Sequence, residues 1–221
     1  MDGNGRWATA RGLARVKGHK KGAEVFGETV RHARDREIKY LTVYAFSTEN
    51  WNRPLEEVRG IMDILRAYLN NADNYRKENV RTRVIGERSN LDVDLRGLIE
   101  YVEKNSSGND GINLNIAINY GGQDEIVHAA RTAARKLLNG EIALQQIDKA
   151  MLASGIYTAG QPDVDLVIRT GGERRVSNFL LWQSAYAEFI FVDEHWPDFS
   201  PARFDLALEE YCARVRRMGG I

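Results

Sequence analysis

Five short apolar runs, alternating with longer amphipathic stretches, constrain the fold of this chain more than any other feature. "KYLTVYAF" (39–46), "VRTRVIG" (80–86), "INLNIAI" (112–118), "VDLVIR" (164–169) and "EFIFVD" (188–193) read as strands. Residues 20–36, 55–78, 92–105, 123–139 and 202–217 read as helices. This rhythm predicts a single α/β domain with a largely parallel central sheet flanked by helices. The stretch 55–78 is the most regular, with Val58, Ile61, Met62, Leu65 and Leu69 on one helical face. Packing against the sheet is the simplest meaning of that face; periodicity alone cannot distinguish it from the wall of an apolar tunnel.

At 221 residues the chain can bury a substantial core. Lys plus Arg and Asp plus Glu both number 31, so nothing in the bulk charge favours nucleic acid. The charge is nonetheless uneven: Arg6, Arg11, Arg15, Lys17, Lys20 and Lys21 face only Asp2 within the first 21 residues. Such an excess attracts a compact anion, although a solvated basic face is the simpler reading of it in isolation. Cys212 is the only cysteine, which excludes an internal disulfide and suits a reducing, cytoplasmic compartment. No apolar run approaches the roughly 18 residues of a membrane span, which leaves peripheral contact with a membrane surface open.

In open parallel sheets ligands sit beyond the carboxyl ends of the strands, and the chemically loaded segments fall there. "RTGGERRVSN" (169–178) sets Arg169, Arg174, Arg175 and Ser177 around a glycine turn. A helix over "NFLLWQSAY" is expected next, and its amino end would add donors for a diphosphate. The alternative is a turn whose arginines pair with surface acids. "FSTENWNRP" (46–54) offers Ser47, Glu49, Asn50 and Arg53 beside Phe46 and Trp51, as a substrate loop or as a capped structural one. His19 enters a helix, a place more typical of a cap or surface residue than of a proton relay. At the chain's start, "MDGNGR" puts a hard oxygen ligand, Asp2, beside two glycines and Arg6. Oxygen ligands bridging to a diphosphate would suit Mg²⁺. No His/Cys cluster suggests zinc, and no P-loop pattern is present.

Taken together, "MDGNGRWA", "ARGLARVKGHKKGAE", "YAFSTENWNRP", "LNIAINYGG" and "RTGGERRVSNFLLWQSAYAEFIFVDEHWPDF" resemble the cis-prenyltransferase family, its bacterial undecaprenyl diphosphate synthase branch above all. The likeness runs from Asp2 to Gly220 in order, and the aspartate-rich motifs of trans-prenyltransferases are absent. The resemblance implies an Mg²⁺-dependent enzyme that condenses isopentenyl diphosphate onto an allylic diphosphate such as farnesyl diphosphate. It implies an allylic pocket at Gly3, Asn4, Gly5, Arg6, Trp7, Arg15 and His19, and a homoallylic pocket at Arg169, Arg175 and Ser177. Asp2 and Glu188 become metal ligands, with Asp2, His19, Ser47 and Asn50 as catalytic candidates. Ser47, Glu49, Asn50, Trp51 and Arg53 become a loop ordering over substrate, and Glu173 lies in the matching turn. The helix 55–78 would line a prenyl tunnel whose floor holds Ile112 and Leu114. The family is dimeric, and Arg217 and Gly219 correspond to an element completing the partner's site. Its members carry a short apolar strand before the "MDGNGR" motif, so Asp2 is expected to be poorly anchored without one. A shorter-chain synthase and a non-catalytic isoprenoid-binding scaffold are the competing readings; retention of Asp2, Arg6, Arg169, Arg175 and Ser177 opposes the second.

Overall fold

The computed structural model of the chain describes residues 1–71 and 77–215. Three parallel strands, β1 (Tyr40–Ser47), β2 (Val80–Ile85) and β3 (Ile112–Tyr120), form a sheet in the order β1-β3-β2. β4 (Leu166–Arg169) and β5 (Glu188–Phe191) form a second parallel pair. The expected single sheet is therefore divided. β1 pairs with β3 and β4 with β5, and no backbone segment among the described residues bridges β1 to β4.

β3 lies in the middle of its sheet, and that position explains its composition. Ile112, Leu114, Ile116 and Ile118 on one face and Asn115 and Ala117 on the other are each no more than 1% exposed, as a parallel strand covered on both faces requires. At the carboxyl end of β1 the register with β3 shifts on either side of Phe46, which re-aims the exit of the strand at Ser47.

Seven α-helices are present among the described residues: α1 (Asn4–Thr9), α2 (Arg15–Asp35), α3 (Leu55–Asn70), α4 (Val93–Ser106), α5 (Gly122–Leu138), α6 (Lys149–Gly155) and α7 (Pro201–Ala213). The periodic face of α3 behaves as its spacing predicts: Val58, Ile61, Met62, Leu65 and Leu69 are all buried. They join α2, α4 and the β1-β3-β2 sheet in one apolar cluster. Full burial of each such side chain contributes about 1.5–3 kcal/mol, so α3 is anchored by its face. The α3 helix stops at Asn70 within the described residues; part of the expected 55–78 stretch lies outside them.

Sequence periodicity does not disclose α1 or α6, which are six and seven residues long. Both are too short to show a repeat; α6 is marked instead by Asp148, whose carboxylate accepts from the Met151 N–H at its amino end. The helix expected over "NFLLWQSAY" is absent: residues 177–186 form consecutive turns and bends. Ser177, Asn178 and Leu180 there have φ of 49°, 62° and 45°, a left-handed course that a right-handed helix cannot contain.

Candidate active site

Asp2 sits where the carboxyl end of β4 meets the amino-terminal turn. Its backbone N–H donates to Thr170 Oγ1 at 3.0 Å, and its carbonyl accepts from Thr170 Oγ1 at 3.0 Å and from the Trp196 N–H at 2.9 Å. The backbone of Asp2 is thus anchored by Thr170 and Trp196. Glycines shape the turn that follows. Gly3 has φ of 99° and lies against His195, where a Cβ would come within 2.6 Å of the ring. A Cβ at Gly5 would fall 2.5 Å from the guanidinium carbon of Arg15.

The Asp2 carboxylate accepts from the Gly3 N–H at 2.7 Å and from Arg169 Nη2 at 3.0 Å, with Arg6 Nη2 at 3.4 Å. Burial pushes this carboxyl up, but the Arg169 hydrogen bond and the charges of Arg6 and Arg169 outweigh it. The net pKa lies below the usual carboxylate range, and Asp2 is ionised at neutral pH. Arg169 also donates to Ser177 Oγ at 2.7 Å and to the Arg175 carbonyl, while Arg175 Nε reaches the same Oγ at 3.2 Å. Glu173 lies between Arg6 and Arg175 and pairs with both. Arg6, Arg169, Arg175 and Ser177 therefore form one donor cluster.

A second cluster is built around Glu57, a residue that sequence reasoning missed. Its carboxylate is 5% exposed and accepts from Arg15 Nε at 2.8 Å and Arg53 Nη1 at 3.0 Å, with His19 Nε2 at 3.1 Å. Burial raises its pKa, and the bonds from Arg15 and His19 with the charges of Arg15 and Arg53 bring it below the ordinary value. For His19, burial is the largest influence and lowers its pKa; Glu57 opposes that, and Arg53 and Arg15 add to it. A signal for Glu57 did exist. It lies four residues before Ile61 and eight before Leu65, so a charge stands on the buried stripe of α3.

The loop after β1 follows the capped-loop reading as far as its backbone is concerned. The Asn50 side chain accepts from the Ser47 N–H at 3.2 Å, closing a short 3₁₀ turn over Thr48–Asn52. Glu49 is held by Asn178 Nδ2 at 3.1 Å. The cationic members of both clusters, with Asn4, Ser47, Glu49 and Asn50, line one continuous cavity of about 1230 Å³. The cavity also follows the edges of β1 and β4 left unpaired among the described residues, toward Phe189, Phe204 and Leu208, where Glu37, Lys39 and Asp163 share its lining.

Several candidates lie elsewhere. Trp7 donates to Asp198 at 2.7 Å with Arg11 stacked 4.4 Å from its ring centroid, and Trp51 donates to Asn119 at 2.7 Å. Neither tryptophan lines the cavity. Glu188 begins β5 opposite Leu166, whereas Asp2 bonds to Arg169 and Thr170 at the other end of β4. Three residues of strand, about 10 Å, lie between those ends, and Glu188 is bound to Arg214 at 2.7 Å. Asp2 and Glu188 are not assembled into a metal pair within one chain. No group of three or more acidic, His or Cys side chains suited to a metal occurs among the described residues. Ile112 and Leu114 are wholly buried in the core and do not line the cavity. Arg217 and Gly219 lie outside the described residues.

An α/β protein with two cationic clusters on one cavity at the carboxyl ends of its strands is equipped to hold phosphorylated ligands. Residues 1–219 match the Prenyltransf family, described as "Putative undecaprenyl diphosphate synthase", and the chain belongs to this cis-prenyltransferase family. It is 50% identical over 222 residues to an isoprenyl transferase of Agrobacterium fabrum, covering all of this chain and 90% of that one. The corresponding protein of Zymomonas mobilis is 47% identical with the same coverage. Lavandulyl diphosphate synthase from Lavandula x intermedia, solved with dimethylallyl diphosphate, superposes with a TM-score of 0.93 at 35% identity, over 99% of this chain and 95% of that chain. A probable undecaprenyl diphosphate synthase from Campylobacter jejuni gives a TM-score of 0.80 at 33% identity, over 90% and 92%. The chain is accordingly a prenyl-transferring enzyme of isoprenoid biosynthesis.

Proposed function

We propose that this enzyme adds isopentenyl diphosphate units to farnesyl diphosphate and makes a long cis-polyprenyl diphosphate of undecaprenyl size, the carrier lipid of cell-wall synthesis. The observation that carries the reading is the pair of donor clusters on a single cavity, one for each diphosphate. Arg15, His19 and Arg53 bind the allylic diphosphate, with the Gly3–Arg6 turn closing over it. Arg169, Arg175 and Ser177 hold the diphosphate of the isopentenyl unit, with Arg6 beside them.

The reaction breaks the allylic C–O bond, releasing diphosphate, and joins the allylic carbon to the terminal alkene carbon of the isopentenyl unit. Guanidinium groups beside the departing oxygens would stabilise the charge that builds there. A proton is then lost from the new chain. Ser47, Asn50 and a diphosphate oxygen are the candidate acceptors, and the diphosphate oxygen is the strongest base among them.

The donor chemistry fits Mg²⁺, because Asp2 is an ionised hard-oxygen ligand beside the diphosphate sites, and this ion is commonly held by one carboxylate plus phosphate oxygens. When bound, Mg²⁺ would neutralise charge on the leaving diphosphate. Among the described residues, Asp2 would be the carboxylate that holds it. A homodimer in the cytoplasm, in peripheral contact with the inner face of the membrane for product release, completes the reading; no described helix is long and apolar enough to cross a membrane.

The test is incubation with radiolabelled isopentenyl diphosphate, farnesyl diphosphate and Mg²⁺, followed by product-length analysis. A ladder ending near the undecaprenyl size supports the reading. A short product keeps the chemistry and rejects the chain length, and no incorporation rejects the proposal.

A further inference from the structure

The turn carrying Ser177 follows an unfavourable backbone course, and one side chain secures it. Ser177, Asn178 and Leu180 all have φ in the left-handed region, which Asn tolerates better than Ser or Leu. Asn178 is bonded through three separate groups. Its carbonyl accepts from the Gly122 N–H at 2.7 Å, and its Oδ1 accepts from the Gln123 N–H at 2.8 Å, both at the amino end of α5. Its Nδ2 donates to Glu49 Oε1 at 3.1 Å, in the loop after β1. The backbone at Gly121 fits closely beneath: a Cβ there would lie 2.9 Å from both Asn178 Nδ2 and Thr48 Oγ1. One residue along, Ser177 Oγ accepts from Arg169 and Arg175.

We infer that Asn178 is a positioning residue that locks the Arg169–Ser177 donor cluster and the Glu49 loop to the amino end of α5, keeping the two diphosphate subsites in register. This rests on the assignment of those subsites in the proposed function. Asn178 need not touch substrate itself; it sets where Ser177 and Glu49 stand.

Asn178→Gly separates positioning from stability. Glycine adopts φ of 62° without steric cost and keeps the bond from Gly122, while both side-chain bonds are lost. The Kd for inorganic diphosphate, measured calorimetrically, is expected to rise about tenfold, since small misplacements at a site have effects of this size or larger. The KM for isopentenyl diphosphate should rise by a similar factor with kcat little changed. The melting temperature should stay within about 2 °C of the parent, less than the shift expected from 1 kcal/mol. Asn178→Asp keeps an acceptor for Gln123 but sets a carboxylate against Glu49, and it too should weaken diphosphate binding.

Parental diphosphate affinity in a folded Asn178→Gly protein overturns the inference. So does a loss of affinity that merely tracks a large fall in melting temperature. Parental affinity in Asn178→Asp overturns the link to Glu49. Failure of the parent protein to elongate farnesyl diphosphate would instead count against the proposed function, since the diphosphate titration does not depend on turnover.

Discussion

Glu57 and Asp2 show how one residue type serves two purposes at this site. Both carboxyls lie below their ordinary pKa range, and in both, cationic partners outweigh the effect of burial. Glu57 is nearly enclosed and joins Arg15, His19 and Arg53, so its effect is to pre-organise them. Replacing it as Glu57→Gln removes the charge that favours protonated His19. The His19 titration midpoint, followed by NMR, is expected to move further down; an upward move would contradict this account. Asp2 lines the cavity and is bound to Arg169. Asp2→Ala should lower turnover by about 10²–10³-fold, the usual effect of deleting a group that supports transition-state charge. Its far-UV circular dichroism should remain native, since Thr170 and Trp196 hold the backbone of residue 2 rather than its carboxylate. Wild-type turnover in the folded variant would remove Asp2 from the mechanism.

The strands and helices were legible in the sequence to different degrees. All five strands and the buried face of α3 follow from apolar runs and from spacings of three and four, because burial demands those patterns locally. The turn at 177–186 was misread as helix because its apolar content is helical in style, while its course is set by contacts with α5, β3 and the loop after β1. The division of the sheet was invisible for a related reason: pairing partners come from distant segments. β1 and β4 each pair on one side, and the cavity runs along both strands. An open edge offers unpaired backbone donors and acceptors, which a further strand would satisfy. A six-residue Val/Ile-rich extension joined ahead of Met1 is therefore expected to raise the melting temperature by several degrees, roughly what 1 kcal/mol yields in a domain of this size or somewhat more. Equal melting temperatures, measured side by side with the unextended chain, would show that the edges need no partner.

The formal charges of the molecule cancel, yet Met1, Asp2, His19 and Glu57 each make acid unfavourable. Burial lowers the His19 pKa below its unfolded value, so the unfolded chain takes up the proton first and stability falls as pH drops below about 6.5. Where Met1 bears a free amine, its burial acts in the same sense from pH 8 downward, its own value being lowered to about 6. Asp2 and Glu57 are shifted down as carboxylates, so their contribution is complete above the ordinary carboxylate range and disappears as pH falls through their folded values. Urea midpoints should thus decline steadily from pH 8 to pH 4, and His19→Gln should flatten the part of that decline near pH 6.5; a midpoint that rises on acidification would refute the assignment. Taken alone, the sequence determined the α/β class, the strands, the packing face of α3 and the family motifs, because each is written in near neighbours along the chain. The tertiary structure decided that Glu57 gathers three cations, that Asp2 is anchored by Thr170 and Trp196 and separated from Glu188, and that Asn178 ties two loops to α5. Those outcomes depend on which distant segments meet, and apolar spacing carries no record of that.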